Sequence, residues 1–250
     1  MLVYLYDGTL EGLFCCVFES YKRREIPDMC CDEDHLQYAL EQQLVHIKTI
    51  PARANRVWSG FISQCGEDAA MKVRDCFLSY EHDRASMLLR YMRLGFAHGK
   101  AVSGMLAHPD VLPVEKMYSH IGREQARFIQ FLRFELMENG VYFARMQPVN
   151  NVLPLIMPHF ADRYTDQPFV IYDPGHGIAG VYDLNGWYMA ETGSINLPAA
   201  AESEREWKAM WRKFYGTVAI KERRNAKLMQ QLCPKRYWVD MTEMPAIIKL

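Results

Sequence analysis

The sequence predicts an α+β fold that is mostly helical and carries one small antiparallel sheet. Two observations lead to this class. Long stretches repeat their apolar residues at helical spacing, and the short segments rich in β-forming residues cluster at the N-terminus and within about 141–190. We expect the N-terminal strand and the strands of that region to form the sheet.

The first half of the chain reads as one strand followed by helices. Residues 2–6 are β-formers, and Asp7-Gly8-Thr9 is a turn signal. Either Asp7 or Thr9 can cap the next helix, which runs through about Arg24. Further helices are predicted at about 33–46, 52–64, 67–80, 82–99 and 114–138.

The second half changes pattern. Strands are predicted over 141–146, 169–172, 180–182 and 186–190, with an apolar helix over about 149–164. Residues 203–231 are predicted to form one long helix, or two helices separated at Gly216. In this region the helically spaced Trp207, Trp211, Phe214 and Val218 are predicted to be core residues.

Length and composition allow either one large domain or two small ones. The chain has 250 residues, of which 50% are hydrophobic. We predict a single domain over 1–250 with a soft boundary near 105–113, where glycine and two prolines interrupt the helical pattern.

The net charge, the N-terminal residues and the length of the apolar runs indicate which partners and which cellular compartment to expect. A formal net charge of -1 excludes a global attraction to nucleic acid or to a membrane surface. The opening residues lack the charged and apolar regions of a signal peptide. The longest apolar run, Leu13 to Phe18, is far shorter than the about 20 residues of a membrane helix. We therefore expect a cytoplasmic protein without membrane contact.

The seven cysteines include two adjacent pairs, Cys15-Cys16 and Cys30-Cys31. Thiolate metal sites usually space their ligands two to four residues apart, so that one turn presents both. Adjacent cysteines in apolar surroundings are more typical of buried free thiols. The sequence therefore predicts no metal and no cofactor.

A basic segment runs from Trp211 to Trp238. It holds eight basic residues and one acid, Glu222, so its charge is +7 and the rest of the chain sums to -8. Cations interleaved with aromatic rings suit a phosphate backbone with accessible bases, although a solvated helix face gives the same pattern. The candidate nucleic-acid-binding residues are Lys213, Lys221, Arg223, Arg224, Asn225, Lys227, Lys235, Arg236, Tyr237 and Trp238.

Four scattered residues are candidates for catalysis. Asp7 follows the first strand, His159 and Arg163 are four residues apart in a predicted helix, and Asp173 ends a predicted strand. Each has a structural alternative: a helix cap for Asp7, a structural histidine beside a salt-bridged arginine, and a hairpin turn at Asp173-Pro-Gly-His176-Gly. No serine-nucleophile elbow, phosphate loop or zinc-protease helix is present in the sequence. Whether the chain is an enzyme stays open at this point.

Several segments in a fixed order resemble a bacterial family of DNA-metabolism or DNA-repair proteins that accompany a radical-SAM protein. The resemblance covers nearly the whole chain, from Val3 to about Glu243. The segments that carry it are Tyr6-Asp7-Gly8-Thr9, Phe131-Leu-Arg133-Phe134, Phe143-Ala-Arg-Met-Gln-Pro148, His159-Phe-Ala-Asp-Arg163, Ile171-Tyr-Asp173, Trp211-x-x-Phe-Tyr215, Ala219-Ile-x-x-Arg223-Arg-Asn225 and Pro234-Lys-Arg-Tyr-Trp238. In some relatives a similar domain is fused to a uracil-DNA-glycosylase-like domain.

The resemblance implies a role in DNA repair or modification, with DNA and a radical-SAM protein as partners and a uracil-DNA-glycosylase-like protein as a further one. We expect an accessory protein that binds DNA through the basic segment. One alternative is an enzyme that acts on a nucleic-acid phosphodiester or a modified base. The other is a protein-interaction module whose basic segment meets an acidic partner.

Overall fold

The computed structural model describes residues 1–36, 41–193, 198–220, 223 and 225–244. The chain divides into two compact units, Met1–Gly122 and Arg123–Leu250. The point of division falls within helix α5 (Leu112–Phe131). A single domain over 1–250, with its soft boundary at 105–113, stays a prediction.

The first unit begins with a three-stranded sheet. Strand β1 (Leu2–Leu5) leads through α1 (Leu10–Lys22) to β2 (Met29–Cys31), and β3 (Gln43–His46) follows. The strand order is β2-β1-β3 and both pairings are parallel. The central β1 is almost wholly buried, which explains its continuous run of apolar residues.

Two predictions for this region are wrong. The N-terminal strand does not join an antiparallel sheet with the strands of 141–190, because α1 returns the chain to the starting edge and makes the β1–β2 pairing parallel. The helix predicted over 33–46 is a short 3₁₀ turn at Glu33–His35 followed by β3. Residues 37–40 of that prediction lie outside the described residues.

The other helices of the first unit agree with the predicted ones. They are α2 (Pro51–Cys65), α3 (Glu67–Phe77) and α4 (Arg84–His98), and a 3₁₀ segment at Gly99–Gly104 leads towards α5. Phe61, Leu88 and Met92 are fully buried among them. A side chain at Gly95 would overlap the Phe61 ring, so this glycine allows α4 to approach α2 closely.

The second unit is built on a five-stranded mixed sheet in the order β4-β5-β6-β7-β8. Its strands are β4 (Glu135–Leu136), β5 (Tyr142–Arg145), β6 (Phe169–Asp173), β7 (Ile178–Tyr182) and β8 (Trp187–Glu191). Strands β6, β7 and β8 form the predicted antiparallel meander. The β5–β6 pair is parallel because α6 (Leu153–Arg163) connects its strands.

The C-terminal part of this unit is helical. Helix α7 (Glu202–Val218) ends two residues beyond Gly216, and α8 (Ala226–Leu232) and a 3₁₀ segment at Lys235–Asp240 follow. The prediction that the apolar residues of α7 are core is wrong. Trp207, Phe214 and Val218 are 63%, 57% and 60% exposed, and α7 has no buried residue. Helical spacing shows that one face is apolar, but it does not show what covers that face.

The described part of the chain holds no helix that is both long and apolar enough to cross a bilayer. All seven cysteines are buried and form no disulfide.

Candidate functional site

Asp7 fixes the turn between β1 and α1. Its Oδ1 accepts hydrogen bonds from the Thr9 backbone N–H (3.1 Å) and hydroxyl (2.7 Å). Thr9 is the N-cap, because its Oγ1 accepts from the Gly12 N–H at 3.0 Å. Burial raises the pKa of Asp7, but the hydrogen bonds that its carboxylate accepts, those from Thr9 first among them, outweigh this and the pKa is lowered. The carboxylate therefore orients the cap residue rather than capping the helix itself.

Gly12 leaves the space that this carboxylate occupies. A Cβ atom at this position would overlap Asp7 Oδ1 and the Tyr6 ring, and would come within 3.0 Å of Thr49 Oγ1. The first turn of α1 can therefore approach the Asp7 turn only with glycine at position 12.

The other three catalytic candidates lie in the second unit, and the structure separates two of them. His159 and Arg163 are exposed and four residues apart on α6. Arg163 precedes the amino end of β6, whereas Asp173 ends that strand. A strand of five residues spans about 15 Å, so Arg163 and Asp173 belong to opposite ends of β6.

Asp173 instead pairs with His176, which the sequence analysis read only as part of a turn. The carboxylate is fully buried, and its Oδ2 lies 2.6 Å from His176 Nδ1. Its Oδ1 accepts the backbone N–H groups of Gly175 (3.0 Å) and His176 (3.4 Å). The hydrogen bond that His176 makes to Asp173 raises the pKa of His176, although burial lowers it. The spacing Asp-x-x-His is the signal that could have revealed this pair.

Some residues of the basic segment make contacts that stabilise the folded unit, and others are exposed to solvent. Arg236 donates to Glu124 at 3.1 Å, and this carboxylate is only 3% exposed. Glu124 also accepts the backbone N–H groups of Val149 and Asn150. Tyr237 is buried, with its ring 5.0 Å from that of Phe128. Arg236 and Tyr237 thus hold the unit together, which sequence spacing did not indicate.

Two further candidates have partners within the segment. Asn225 caps α8 by accepting the Leu228 N–H at 2.9 Å. Trp238 is half-buried and donates its indole N–H to the Cys233 carbonyl at 2.8 Å. Both residues order the end of the chain whatever else they contact.

The four other described candidate cations are exposed. Lys213, Arg223, Lys227 and Lys235 form no ion pair within the described residues, and the candidates Lys221 and Arg224 lie outside those residues. The exposed rings of Trp207, Trp211 and Phe214 lie on α7, the helix that carries Lys213. This part of the second unit therefore combines accessible positive charge with accessible aromatic surface. We refer to these four cations and three rings as the cationic–aromatic surface.

The second unit also has two concave regions. A groove of about 1000 Å³ has mostly apolar walls, which include Phe131, Ile220 and Leu232, with Arg223 also lining it. A smaller pocket of about 450 Å³ is lined by side chains of β4, β5, α7 and the C-terminal segment. Within the described residues, no three histidine, cysteine or acidic side chains come together as a group that could hold a metal ion.

Comparison with known proteins identifies a family but no activity. A search of curated proteins found no match. The model of a domain of unknown function, DUF4130, matches residues 82–243, which are more than half of the chain and contain every element from α4 to the C-terminal 3₁₀ segment. The chain therefore belongs to the DUF4130 family.

Proposed function

We propose that this protein is a DNA repair or modification accessory protein that binds DNA through the cationic–aromatic surface. The observation that carries the proposal is that four cations and three aromatic rings are exposed on α7 and the segment that follows it in the second unit. Cations neutralise phosphates, and flat rings stack on bases that are not paired. The proposal therefore favours single-stranded DNA or a strand with displaced bases.

Partners and compartment are part of the same proposal. The resemblance noted in the sequence supports a radical-SAM protein as the enzyme that acts on the bound DNA. It also supports a uracil-DNA-glycosylase-like protein as a second companion. The protein would act in the cytoplasm, where this DNA and these enzymes meet.

A salt titration tests the phosphate contacts. We expect the affinity for single-stranded DNA to fall with salt, with a log–log slope of about -0.7 for each phosphate neutralised. Replacing Arg223 and Lys227 by alanine should weaken binding to every sequence and flatten the slope by about 1.4. The matched control replaces Arg56 and Lys116, two exposed cations of the first unit, and should leave the slope unchanged.

A second comparison tests the rings. Replacing Trp207 and Phe214 by alanine should reduce affinity for single strands more than for duplex, because stacking on one base contributes about 1–3 kcal/mol. Binding that is independent of salt, or absent below about millimolar DNA, would refute the proposal.

A protein-interaction module is the second candidate, and the apolar groove is the observation that favours it. Its walls suit the apolar side of a partner helix, and Arg223 at the same groove suits an acidic residue of that partner. Failure of DNA binding together with a stable complex with an acidic, amphipathic partner would support this alternative.

An enzymatic role would have to use Asp173 and His176. A buried carboxylate that orients an imidazole is the arrangement of a general base. Hydrolysis of a DNA phosphodiester by the isolated protein, lost in the His176→Gln variant, would favour this role over an accessory one.

A further inference from the structure

The pocket of about 450 Å³ in the second unit has walls from a strand, a helix and the C-terminal segment. Phe143 and Arg145 are two residues apart on β5, so their side chains project from the same face of the sheet. Lys208 and Arg212 are four residues apart on α7, so they share one face of that helix. The C-terminal residues Val239 to Thr242 line the remaining side.

Four cations line this pocket, but two of them are already neutralised. Lys208 pairs with Glu135, and Arg133 pairs with Glu243 at 2.7 Å. Arg145 is exposed and makes no ion pair within the described residues. Among the described residues, Arg212 bonds only through its Nε, which donates to the Thr242 carbonyl at 3.0 Å. The remaining guanidinium N–H groups of Arg145 and Arg212 are thus available to an anion.

The rest of the lining is apolar apart from Glu135, Asp240 and Thr242. Met137, Phe143, Val239 and Met241 supply apolar surface beside the two arginines. Asp240 also lines the pocket, where burial raises its pKa although the charge of Arg145 opposes this. The two arginines beside apolar surface suit a molecule with an anionic end and an apolar body.

We propose that this pocket binds a nucleotide, with its phosphate on Arg145 and Arg212 and its base against the apolar wall. Guanidinium groups bind phosphate oxygens through two parallel hydrogen bonds, which makes arginine well suited to this contact. The volume lies within the range of small-molecule sites. The inference rests on the proposed DNA-binding function and extends it, because the pocket would hold one phosphorylated nucleotide while the cationic–aromatic surface holds the strand.

Such a nucleotide has two sources, a free mononucleotide or the phosphorylated end of a strand. The probes are therefore a deoxynucleoside monophosphate, the matching nucleoside, and one oligonucleotide with either a 5′-phosphate or a 5′-hydroxyl. We expect the monophosphate to bind at least about tenfold more tightly than the nucleoside. Tighter binding of the 5′-phosphorylated oligonucleotide would identify a strand end, and equal binding of the two oligonucleotides would identify a free nucleotide.

Two variants and one control assign the site. Arg145→Gln should weaken monophosphate binding about tenfold or more, since it removes a charged hydrogen bond. Arg212→Lys keeps the charge but loses the planar fork, and should weaken binding less. Arg205→Ala removes an exposed cation from the same helix, outside the lining of the pocket, and should leave monophosphate affinity unchanged.

The outcomes separate this inference from the proposed function. If wild-type protein binds DNA but shows no preference for the monophosphate over the nucleoside, the nucleotide pocket is refuted and the DNA-binding function stands. If Arg145→Gln and Arg205→Ala weaken monophosphate binding equally, the pocket is refuted as the site. If neither DNA nor the monophosphate binds, both proposals fail.

Discussion

Arg236 and Glu124 form an ion pair at 3.1 Å although they are 112 positions apart in the chain. The carboxylate is 3% exposed and the arginine side chain is 42% exposed, so a cation from the surface neutralises an interior charge. Burying a carboxylate is costly unless it is paired and hydrogen-bonded. One residue that sequence pattern assigns to DNA therefore stabilises the folded unit.

Replacing Arg236 by alanine should lower the free energy of unfolding by about 2 kcal/mol, because Glu124 loses its charged partner while it stays buried. Urea unfolding of the two proteins measures the difference. Lys235→Ala is the matched control, since the neighbouring Lys235 is exposed and forms no ion pair in the described parts of the chain. The control should lie within about 0.5 kcal/mol of wild type. Equal stability of Arg236→Ala and wild type would contradict the structural role.

Gly12→Ala should destabilise the protein by about 1–3 kcal/mol, although alanine is the better helix former. The added Cβ overlaps Asp7 Oδ1 and the Tyr6 ring, so the first turn of α1 must move. Gly122→Ala serves as the comparison, because no atom lies within 4 Å of a Cβ at that helical position. Thermal unfolding should show Gly122→Ala to be as stable as wild type or more stable by up to about 1 kcal/mol. A Gly12→Ala protein as stable as wild type would show that the Asp7 turn can relax.

His176 should make the stability depend on pH. Its pKa is raised above 6.5 in the folded state by its hydrogen bond to Asp173, so the stabilisation is complete below pH 6.5. It is then lost as the pH rises through the folded-state pKa. Wild type should therefore exceed His176→Gln in the free energy of unfolding by more at pH 5.5 than at pH 8.5. Asp173→Asn should remove the same pH-dependent part of the free energy of unfolding. If the pH profile of stability is unchanged in both variants, the pairing is disproved.

The cysteines should react slowly in the folded protein. All seven are buried, and burial raises the pKa of the Cys31 thiol to about 11, which leaves little reactive thiolate near neutral pH. Mass spectrometry after iodoacetamide treatment at pH 8 should show little labelling in buffer and complete labelling in urea. Rapid labelling of the native protein would contradict this picture.

The same cysteines should hold no metal, because two adjacent pairs do not have the usual ligand spacing. Metal analysis of protein purified without oxygen tests this. Stoichiometric zinc or iron that disappears when Cys15, Cys16, Cys30 or Cys31 is replaced would overturn the prediction.

The sequence pattern predicted an element correctly where apolar spacing and the residues at its ends are enough to define it. The helices α2, α3 and α4 follow from apolar spacing, and the β6–β8 meander follows from short β-forming segments joined by turn residues. Asp7 and Thr9 were both recognised at the start of α1, and the structure decides between them, since Thr9 accepts the capping hydrogen bond. The pairing of Asp173 with His176 is equally local, at a separation of three residues, and a search for that spacing would have found it.

Tertiary structure alone decided the features that join distant parts of the chain. Gln43–His46 forms a strand because it pairs with the open edge of β1. This pairing outweighs the local pattern that predicted a helix over residues 33–46. The aromatic face of α7 is exposed, although its apolar spacing is that of a core helix. Arg236, predicted to bind nucleic acid, instead pairs with the buried Glu124. Sequence by itself determined which segments can be helix or strand and which faces are apolar or charged. Which partners those faces meet depends on contacts between residues far apart in the chain, and these form only when the whole unit packs.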